Sequence, residues 1–249
     1  MTCAIISDIH SNLEALEAVL TAIAGFGVDA VYCLGDIVGY GPNPNECTKA
    51  ALDRCDAVVR GNHDKAVAGL MPMDWFNTVA REGALWNRRN ASAETLAAIR
   101  GLPAGPLDVG EGILLCHGTP MDEDRYLVDA QAIEESYAVL DREHPGVRFC
   151  FNGHSHYPVV VARRASPARP SILRGADRVK IEAGATYLIN PGSVGQPRDG
   201  NPHASFGILE TSRRVYRNLR VAYGVQETQR KIIAAGLPDE LAWRLAEGR

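Results

Sequence analysis

The chain opens on an apolar run, Ala4-Ile5-Ile6, and then changes period. Over residues 12–20, Leu13, Leu16 and Leu20 recur at helical spacing, with Ser11 or Asn12 as the cap. Residues 30–34 read as a second strand closed by Gly35, 45–52 as a short helix, and 57–59 as a third strand closed by Gly61. Strand and helix alternating in this way predict a parallel sheet with right-handed crossovers. A mostly helical stretch over 74–99 follows, ended by Gly101-Leu102-Pro103. Residues 113–116 and 147–151 read as further strands, with a helix over 129–140 between them.

Beyond residue 157 the pattern changes. Residues 158–162, 178–182, 186–189, 205–209 and 215–221 are short runs enriched in Val, Ile and Tyr, without long helices between them. They predict a second, mostly antiparallel sheet packed on the first. Residues 163–178 carry Arg163, Arg164, Arg169, Arg174 and Arg178 with Pro167, Pro170 and Gly175. This reads as a solvated hairpin edge, with a phosphate-attracting rim as the alternative. Helical pattern returns over 229–235 and 240–246, on either side of Gly236-Leu237-Pro238. The expected organisation is one domain over 1–223, with a candidate helical cap over 66–110, and a helical tail over 224–249. Leu241 and Leu245 of the tail lie one turn apart, and so short a helix must dock to be stable. The expected site is its own chain, near the last strands.

Composition narrows the function. A hydrophobic share of 46% and a charged share of 22% supply a core and exclude a disordered chain. With 26 basic against 30 acidic residues the net charge is −4, so no overall positive field points to a stable nucleic-acid complex. No apolar run approaches the roughly 20 residues of a membrane span. The first eight residues carry no basic leader, and the six cysteines form no CxxC pair. Buried free thiols and a cytoplasmic location are the expectation.

Five polar segments stand where apolar strands end: Asp8-Ile9-His10, Gly35-Asp36, Gly61-Asn62-His63-Asp64, Cys116-His117-Gly118 and Gly153-His154-Ser155-His156. In an open parallel sheet such ends gather in one crevice. Carboxylate, imidazole and amide oxygen are donors for divalent metals of intermediate or hard character. The i, i+2 spacing of Asp8 and His10, and of His154 and His156, aims each pair to one side if the backbone is extended. Ser155 then points away, and Cys116 reads as a packed thiol. His144 and His203 stand in turns and are set aside.

Together these segments resemble the signature of the calcineurin-like metallophosphoesterase superfamily, which runs D-x-H, G-D, G-N-H-D or E, a lone H, and G-H-x-H. Order and spacing match over about residues 3 to 210, and Asn190-Pro191-Gly192-Ser193 is similar to a late loop of the small prokaryotic phosphodiesterase-type members. The resemblance implies a four-layer α/β/β/α sandwich of two mixed sheets with a dinuclear metal site at the strand ends. It implies a phosphoesterase that attacks a small phosphate ester or nucleotide with a metal-bridging hydroxide. Asp8, His10 and His156 would hold one ion, Asn62, His117 and His154 the other, and Asp36 would bridge them. Mn, Fe, Zn or Co fit the donors. His63 would be the catalytic histidine. Asp64 either orients His63 or caps the following helix. The chain departs from the G-D-x-x-D-R-G of protein phosphatases and dinucleoside tetraphosphate hydrolases: Gly39 and Tyr40 replace the second aspartate and the arginine. Arg198 is the best substitute phosphate anchor, with a solvated loop charge as the alternative, and Tyr40 either stacks on a base or is an exposed tyrosine before Gly41-Pro42 that needs no ligand. A monomer or homodimer fits this reading. The competing class, a non-enzymatic scaffold on the same fold, is disfavoured because Asp36 and His63 are both present.

Overall fold

Along the first strand, Ala4 and Ile6 face one core and Cys3 and Ile5 another. A strand buried on both faces needs no polar alternation, which is why it reads as a continuous apolar run. The computed structural model describes residues 1–164 and 169–249. Its strands are β1 (Thr2–Ile6), β2 (Ala30–Cys33), β3 (Ala57–Val58), β4 (Leu107–Asp108), β5 (Ile113–Leu115), β6 (Phe149–Phe151), β7 (Val159–Arg163), β8 (Ser171–Arg174), β9 (Arg178–Lys180), β10 (Thr186–Asn190), β11 (Ala204–Glu210) and β12 (Val215–Val221). Its helices are α1 (Leu13–Ala24), α2 (Pro44–Arg54), α3 (Asn62–Ala68), α4 (Thr78–Asn90), α5 (Ala93–Arg100), α6 (Ala130–Glu143), α7 (Val225–Ala234) and α8 (Asp239–Glu247).

Two six-stranded mixed sheets form, in the orders β3-β2-β1-β11-β12-β9 and β4-β5-β6-β10-β7-β8. Cys3, Ile5 and Tyr216 of one meet Phe149, Phe151 and Tyr187 of the other in a core between them. A second core joins the first sheet to α1, α2 and α3, and a third joins the second sheet to α6 through Tyr137 and Leu140. This is the α/β/β/α sandwich. The late strands do not make a sheet of their own: β9, β11 and β12 extend the first sheet and β7, β8 and β10 the second. Local alternation sets strand identity, but pairing partners are chosen by faces far apart in sequence.

Helix ends explain other differences. Asn12 caps α1 through its side-chain oxygen, which accepts from the Ala15 amide at 3.2 Å. The helical stretch expected over 74–99 is two helices, because Asn77 and Ser92 each cap a new start, accepting from Ala80 and Thr95. Helix α3 begins directly after Gly61, so Asn62, His63 and Asp64 of the polar segment after β3 form its first turn. Five of the six free cysteines are buried and Cys55 is half-buried. Arg163 pairs with Asp141 and Arg164 with Glu182, while part of the arginine-rich hairpin, 165–168, lies outside the described residues. Among the described residues no helix is long and apolar enough to cross a membrane.

The tail packs on its own chain, chiefly off the last strands, although its end reaches the loop before β11, where Gly200 N donates to the Gly248 carbonyl at 2.9 Å. Leu237, Leu241 and Leu245 pack with Tyr40 and Ala80, beside Phe76 and Trp86, so α8 rests on α4 and the loop after β2. Thr228 and Lys231 bond to Glu14 of α1, and Trp86 Nε1 donates to the Ala235 carbonyl at 2.9 Å.

Candidate metal centre and active site

Strands β1, β2 and β3 run parallel in one sheet, and β5 and β6 run parallel in the other. Their carboxyl ends carry Asp8 and His10, Asp36, Asn62 and His63, His117, and His154 and His156 in turn. The structure brings the carboxylate and imidazole candidates into two overlapping groups, Asp8-His10-Asp36-His156 and Asp36-His117-His154, with ligand atoms within 4.8 Å of one another in each. Asp36 belongs to both: its Oδ2 lies 3.6 Å from His10 Nε2 and 3.5 Å from His117 Nε2. Asn62 joins the second group through Oδ1, 3.1 Å from His117 Nε2.

The backbone that achieves this convergence is not extended. Asp8, His10, Ser11, Asp36, His154 and His156 all have positive φ, between 49° and 65°. Left-handed non-glycine residues cost roughly 1–2 kcal/mol each, and Asp and His tolerate them best. The loops are held there by crossing hydrogen bonds. His10 N donates to the Asp36 carbonyl at 2.9 Å, Gly153 N to His117 at 2.8 Å, and His154 N to the Asp8 carboxylate at 3.1 Å. The Asn190–Ser193 loop locks the two sheets together: Ser193 Oγ donates to the Asp8 carbonyl at 2.8 Å and Asn190 Nδ2 to Gly153 at 2.6 Å. Asn190 Nδ2 also donates to Ser155 Oγ at 3.0 Å, so Ser155 does turn away from the cluster. Gly61 must lack a side chain, since a Cβ there would run into the Asp36 carboxylate.

The donor chemistry fits metal ions. His10 Nδ1 donates to the Val38 carbonyl at 3.2 Å, His117 Nδ1 to Leu34 at 2.8 Å and His156 Nδ1 to Gln196 at 2.6 Å. Such bonds fix the tautomer and turn Nε2 toward the cluster. The Nε2 atoms of His10 and His156 lie only 3.1 Å apart, so two lone pairs face each other, an arrangement a cation relieves. His154 is reversed: its Nε2 donates to the Asp124 carbonyl at 3.0 Å, leaving Nδ1 as the ligand atom. Burial alone would raise the Asp36 carboxyl, but the rings of His117, His63 and His10 outweigh it and hold it well below the usual range. Burial would lower His117, yet facing Asp36 pushes it up to about 10. Burial pushes Asp8 up to about 7, with His117 opposing and Asp36 adding. The upward shifts of Asp8 and His117 both favour taking up positive charge beside the buried carboxylates.

His63 opens the adjoining cleft. Its amide donates to Asp36 Oδ1 at 2.8 Å, its Nδ1 is buried without a hydrogen-bond partner, and burial pushes the ring down to about 4. Asp64 occupies the capping role of the two weighed from sequence. Its oxygens accept from the Gly61 amide at 2.9 Å and the Val38 amide at 3.2 Å. Asp64 thereby ties α3 to the loop whose Val38 carbonyl orients His10. Gly39 has φ +140°, and a Cβ there would stand 2.7 Å from His10 Nδ1 and 2.8 Å from His63 Nδ1. The departure from the G-D-x-x-D-R-G pattern therefore has a steric reason. Tyr40 packs against both rings, 4.4 Å from His10 and 4.5 Å from His63, which themselves meet edge to face at 4.8 Å. Buried Asn87 of α4 holds this loop, donating to the Gly39 and Gly41 carbonyls.

The cleft beside the cluster has a volume of about 510 Å³. His63, Asn62 and His154 form its floor, and Phe76, Trp75, Tyr126, Arg198 and Arg244 its walls. Phe76 packs on His63 at 4.7 Å, and Tyr126 stacks on His154 at 3.8 Å. Of the stretch 66–110, its early part, with Met71, Trp75, Phe76, Asn77 and Ala80, lines the cleft, while α5 packs on α2 and α3. Arg198 donates to the Tyr40 hydroxyl at 3.1 Å. Tyr126, Phe76, Asn87 and Arg244 escaped the sequence reading; each lies outside the motifs, and only the polarity of Asn87 within an otherwise buried helix face was a signal. A second cleft of about 360 Å³, walled by Leu127, Ile133 and Ile172, is lined by Ser155 but by no residue of the cluster.

Comparison with known proteins agrees with this architecture. The profile of the calcineurin-like phosphoesterase superfamily domain matches residues 1–214. An uncharacterized protein of Methanocaldococcus jannaschii is 37% identical over 99% of this chain and 98% of its own. The crystal structure of a metallophosphoesterase from Sphaerobacter thermophilus superposes with a TM-score of 0.84 at 36% identity, covering 100% of this chain and 99% of that one. A hypothetical protein from Pyrococcus horikoshii OT3 shares the fold, with a TM-score of 0.78 at 19% identity over 100% and 98% of the two chains. The chain belongs to the calcineurin-like phosphoesterase superfamily and is a metal-dependent phosphoric ester hydrolase.

Proposed function

We propose that the protein is a dinuclear metal-dependent phosphoesterase, a phosphodiesterase or phosphatase acting on a small phosphate ester or nucleotide. The observation that carries this is the membership of Asp36 in both ligand groups. On this reading Asp8, His10, Asp36 and His156 hold one ion, and Asp36, Asn62, His117 and His154 the other. The oxygen and nitrogen donors suit Mn, Fe, Zn or Co. Bound there, two such ions acidify a shared water and neutralise charge on the phosphoryl oxygens.

The chain's own residues do the rest. Asp36 keeps both halves of the cluster at one spacing. His63, on the cleft floor, donates a hydrogen bond or a proton on the leaving-group side. Asp64 positions the His63 helix and, through Val38, His10. Arg198 binds a substrate phosphate beside the cluster, and Tyr40 keeps its guanidinium in place. Tyr126, Phe76 and Trp75 supply an aromatic wall that accepts a flat leaving group or a base. The stretch 66–110 acts as a partial cap through Met71 to Ala80. The domain spans 1–223 and the tail 224–249; the protein works in the cytoplasm as a monomer or homodimer.

The test is reconstitution. Protein stripped by chelator and reloaded with Mn, Zn, Fe or Co should take up two ions per chain. It should hydrolyse p-nitrophenyl phosphate, its bis-ester or a nucleotide in proportion to the second ion. Full activity at one ion per chain would refute the dinuclear reading.

A further inference from the structure

The walls of the cleft hold two arginines of different origin. Arg198 comes from the loop between β10 and β11, and Arg244 from the last turn of α8. Their guanidinium carbons lie 5.9 and 5.8 Å from the ring centroid of Tyr40. Both line the cleft that has His63 and His154 on its floor. Among the described residues neither has an Asp or Glu carboxylate within 4 Å, whereas Arg60, Arg163, Arg164 and Arg220 each do. The acidic group of the cleft, Asp124, is taken by Lys65 at 2.6 Å. Arg244 donates through Nε to the Arg249 carbonyl at 3.1 Å, and its terminal nitrogens make no hydrogen bond among the described residues. Its helix is not free to swing away, since Leu241 and Leu245 on either side are buried.

The two cations differ in the groups their charges act on. The charge of Arg198 is felt by Asp8, His10, His63 and His156. Arg244 is depressed by burial and by Arg198, and its other neighbours are Tyr40, Glu240 and Arg249. Like charges held together in a half-buried cleft repel, and an anion between them removes the repulsion.

We propose that Arg244, supplied by the C-terminal helix, forms with Arg198 a second anion subsite, and that the substrate carries a further phosphate beyond the one hydrolysed. The proposal rests on the reading of the Asp36 cluster as the place of the scissile phosphoryl group. It makes Arg244 a specificity-determining residue, favouring esters with two or more phosphates over simple monoesters.

Equilibrium binding to the full-length, Mn-loaded protein tests it, with the non-hydrolysable phosphonate analogue of AMP and the non-hydrolysable α,β-methylene analogue of ADP as probes. Wild type should bind the two-phosphate probe about tenfold or more tighter than the one-phosphate probe, the scale of a charge-assisted hydrogen bond. Arg244→Gln should remove most of that ratio by weakening the two-phosphate probe selectively, and Arg244→Lys should restore part of it. Melting temperatures measured alongside identify a variant damaged in its fold, and in that case the Arg244→Lys ratio decides. No preference in wild type, or equal weakening of both probes by Arg244→Gln, would overturn the proposal. Failure of wild type to hydrolyse any phosphoester would instead overturn the active-site reading, because the binding ratio is read without turnover.

Discussion

On the cluster side of the cleft, Asp8, His10, Asp36, His117 and His156 are buried, their loops are stitched to both sheets, and four of the five have left-handed backbones. On the opposite side, Trp75 is 88% exposed, Tyr126 is exposed too, and Arg198 and Arg244 reach in from a late loop and the tail. The first side stores strain and fixes atoms to within a hydrogen bond; the second presents groups that can yield. Chemistry on a phosphoryl group needs the former, because the stabilising charges must not reorganise during reaction. Recognition of the rest of a substrate needs only the latter. Substitutions on the two sides should therefore differ in kind: losses of turnover and metal on one, losses of affinity or selectivity on the other.

The largest effect is expected at the shared carboxylate. Asp36→Asn should lower metal content below two ions per chain and reduce kcat by roughly 10³-fold or more, since several kcal/mol of charge stabilisation at tenfold per about 1.4 kcal/mol is lost. Elemental analysis beside steady-state kinetics checks it. Two ions per chain with normal turnover would refute the bridging role.

His63→Ala should break the comparison within the rigid side. Metal content should hold while kcat falls by roughly 10²- to 10⁴-fold, the range for a lost proton donor. The fall should be smaller for p-nitrophenolate than for an alkoxide leaving group, which needs the proton more. An equal fall across a leaving-group series points to electrostatic stabilisation instead, in keeping with the low proton affinity that burial imposes on the ring.

The same contrast explains what the sequence disclosed. The cluster is written in short motifs, Asp8-Ile9-His10 and Gly153-His154-Ser155-His156 among them, because each strand end delivers its ligands within three residues. Even there the backbone does not meet the condition of extension on which the i, i+2 reading depended, and left-handed φ at Asp8 or His154 leaves no mark in a sequence where Asp and His also serve as ligands. Arg244 and Tyr126 stood outside any pattern: a last-turn arginine on an amphipathic helix is ordinary, and only the docking of α8 on Tyr40 brings it to the cleft. Sheet membership was hidden for a similar reason. Strands β10 and β11 read alike locally, but Leu188 and Ile189 of the one and Ile208 and Leu209 of the other are sorted by partners far away along the chain. Asp64 shows an intermediate case, where the residue was legible and its role became so only when its oxygens were found on the Gly61 and Val38 amides.

The tail joins the two sides through packing. Leu241 is fully buried and lies against Gly83 of α4, where a Cβ would stand 3.4 Å from its Cδ1. Leu241→Ala should cost about 2–5 kcal/mol, the range for a truncated core leucine. Deletion from Gln226 should lower the melting temperature further and expose Tyr40 and Ala80, while leaving two ions bound. Calorimetry with metal analysis reads both. An unchanged melting temperature in the deletion would show that the tail contributes no packing, and would also remove the support beneath Arg244.

The smallest effect concerns the wall that carries Tyr126. Glu123 accepts from Arg60 at 2.9 Å and from Lys65 at 2.9 Å, which pins the loop after β5 to α3. Burial would raise the Glu123 carboxyl, but its bonds to Arg60 and Lys65 outweigh it and bring it below the ordinary value. A carboxyl depressed on folding contributes stability above its unfolded pKa, about 4.3, and that contribution fades as pH falls through the folded value. Because solvent reaches the pair, the contribution is about 1 kcal/mol or less. Glu123→Gln should therefore melt slightly below wild type at pH 7, and the difference should fade as pH falls through the depressed folded value, below which wild type is protonated as well. The same substitution should loosen Tyr126 and with it the stacking on His154, so weaker binding of an aryl or nucleoside phosphate should accompany the stability change at neutral pH. A difference in melting temperature that persisted unchanged at low pH would mean that Glu123 acts through packing rather than charge, and would place this part of the wall with the rigid side of the cleft.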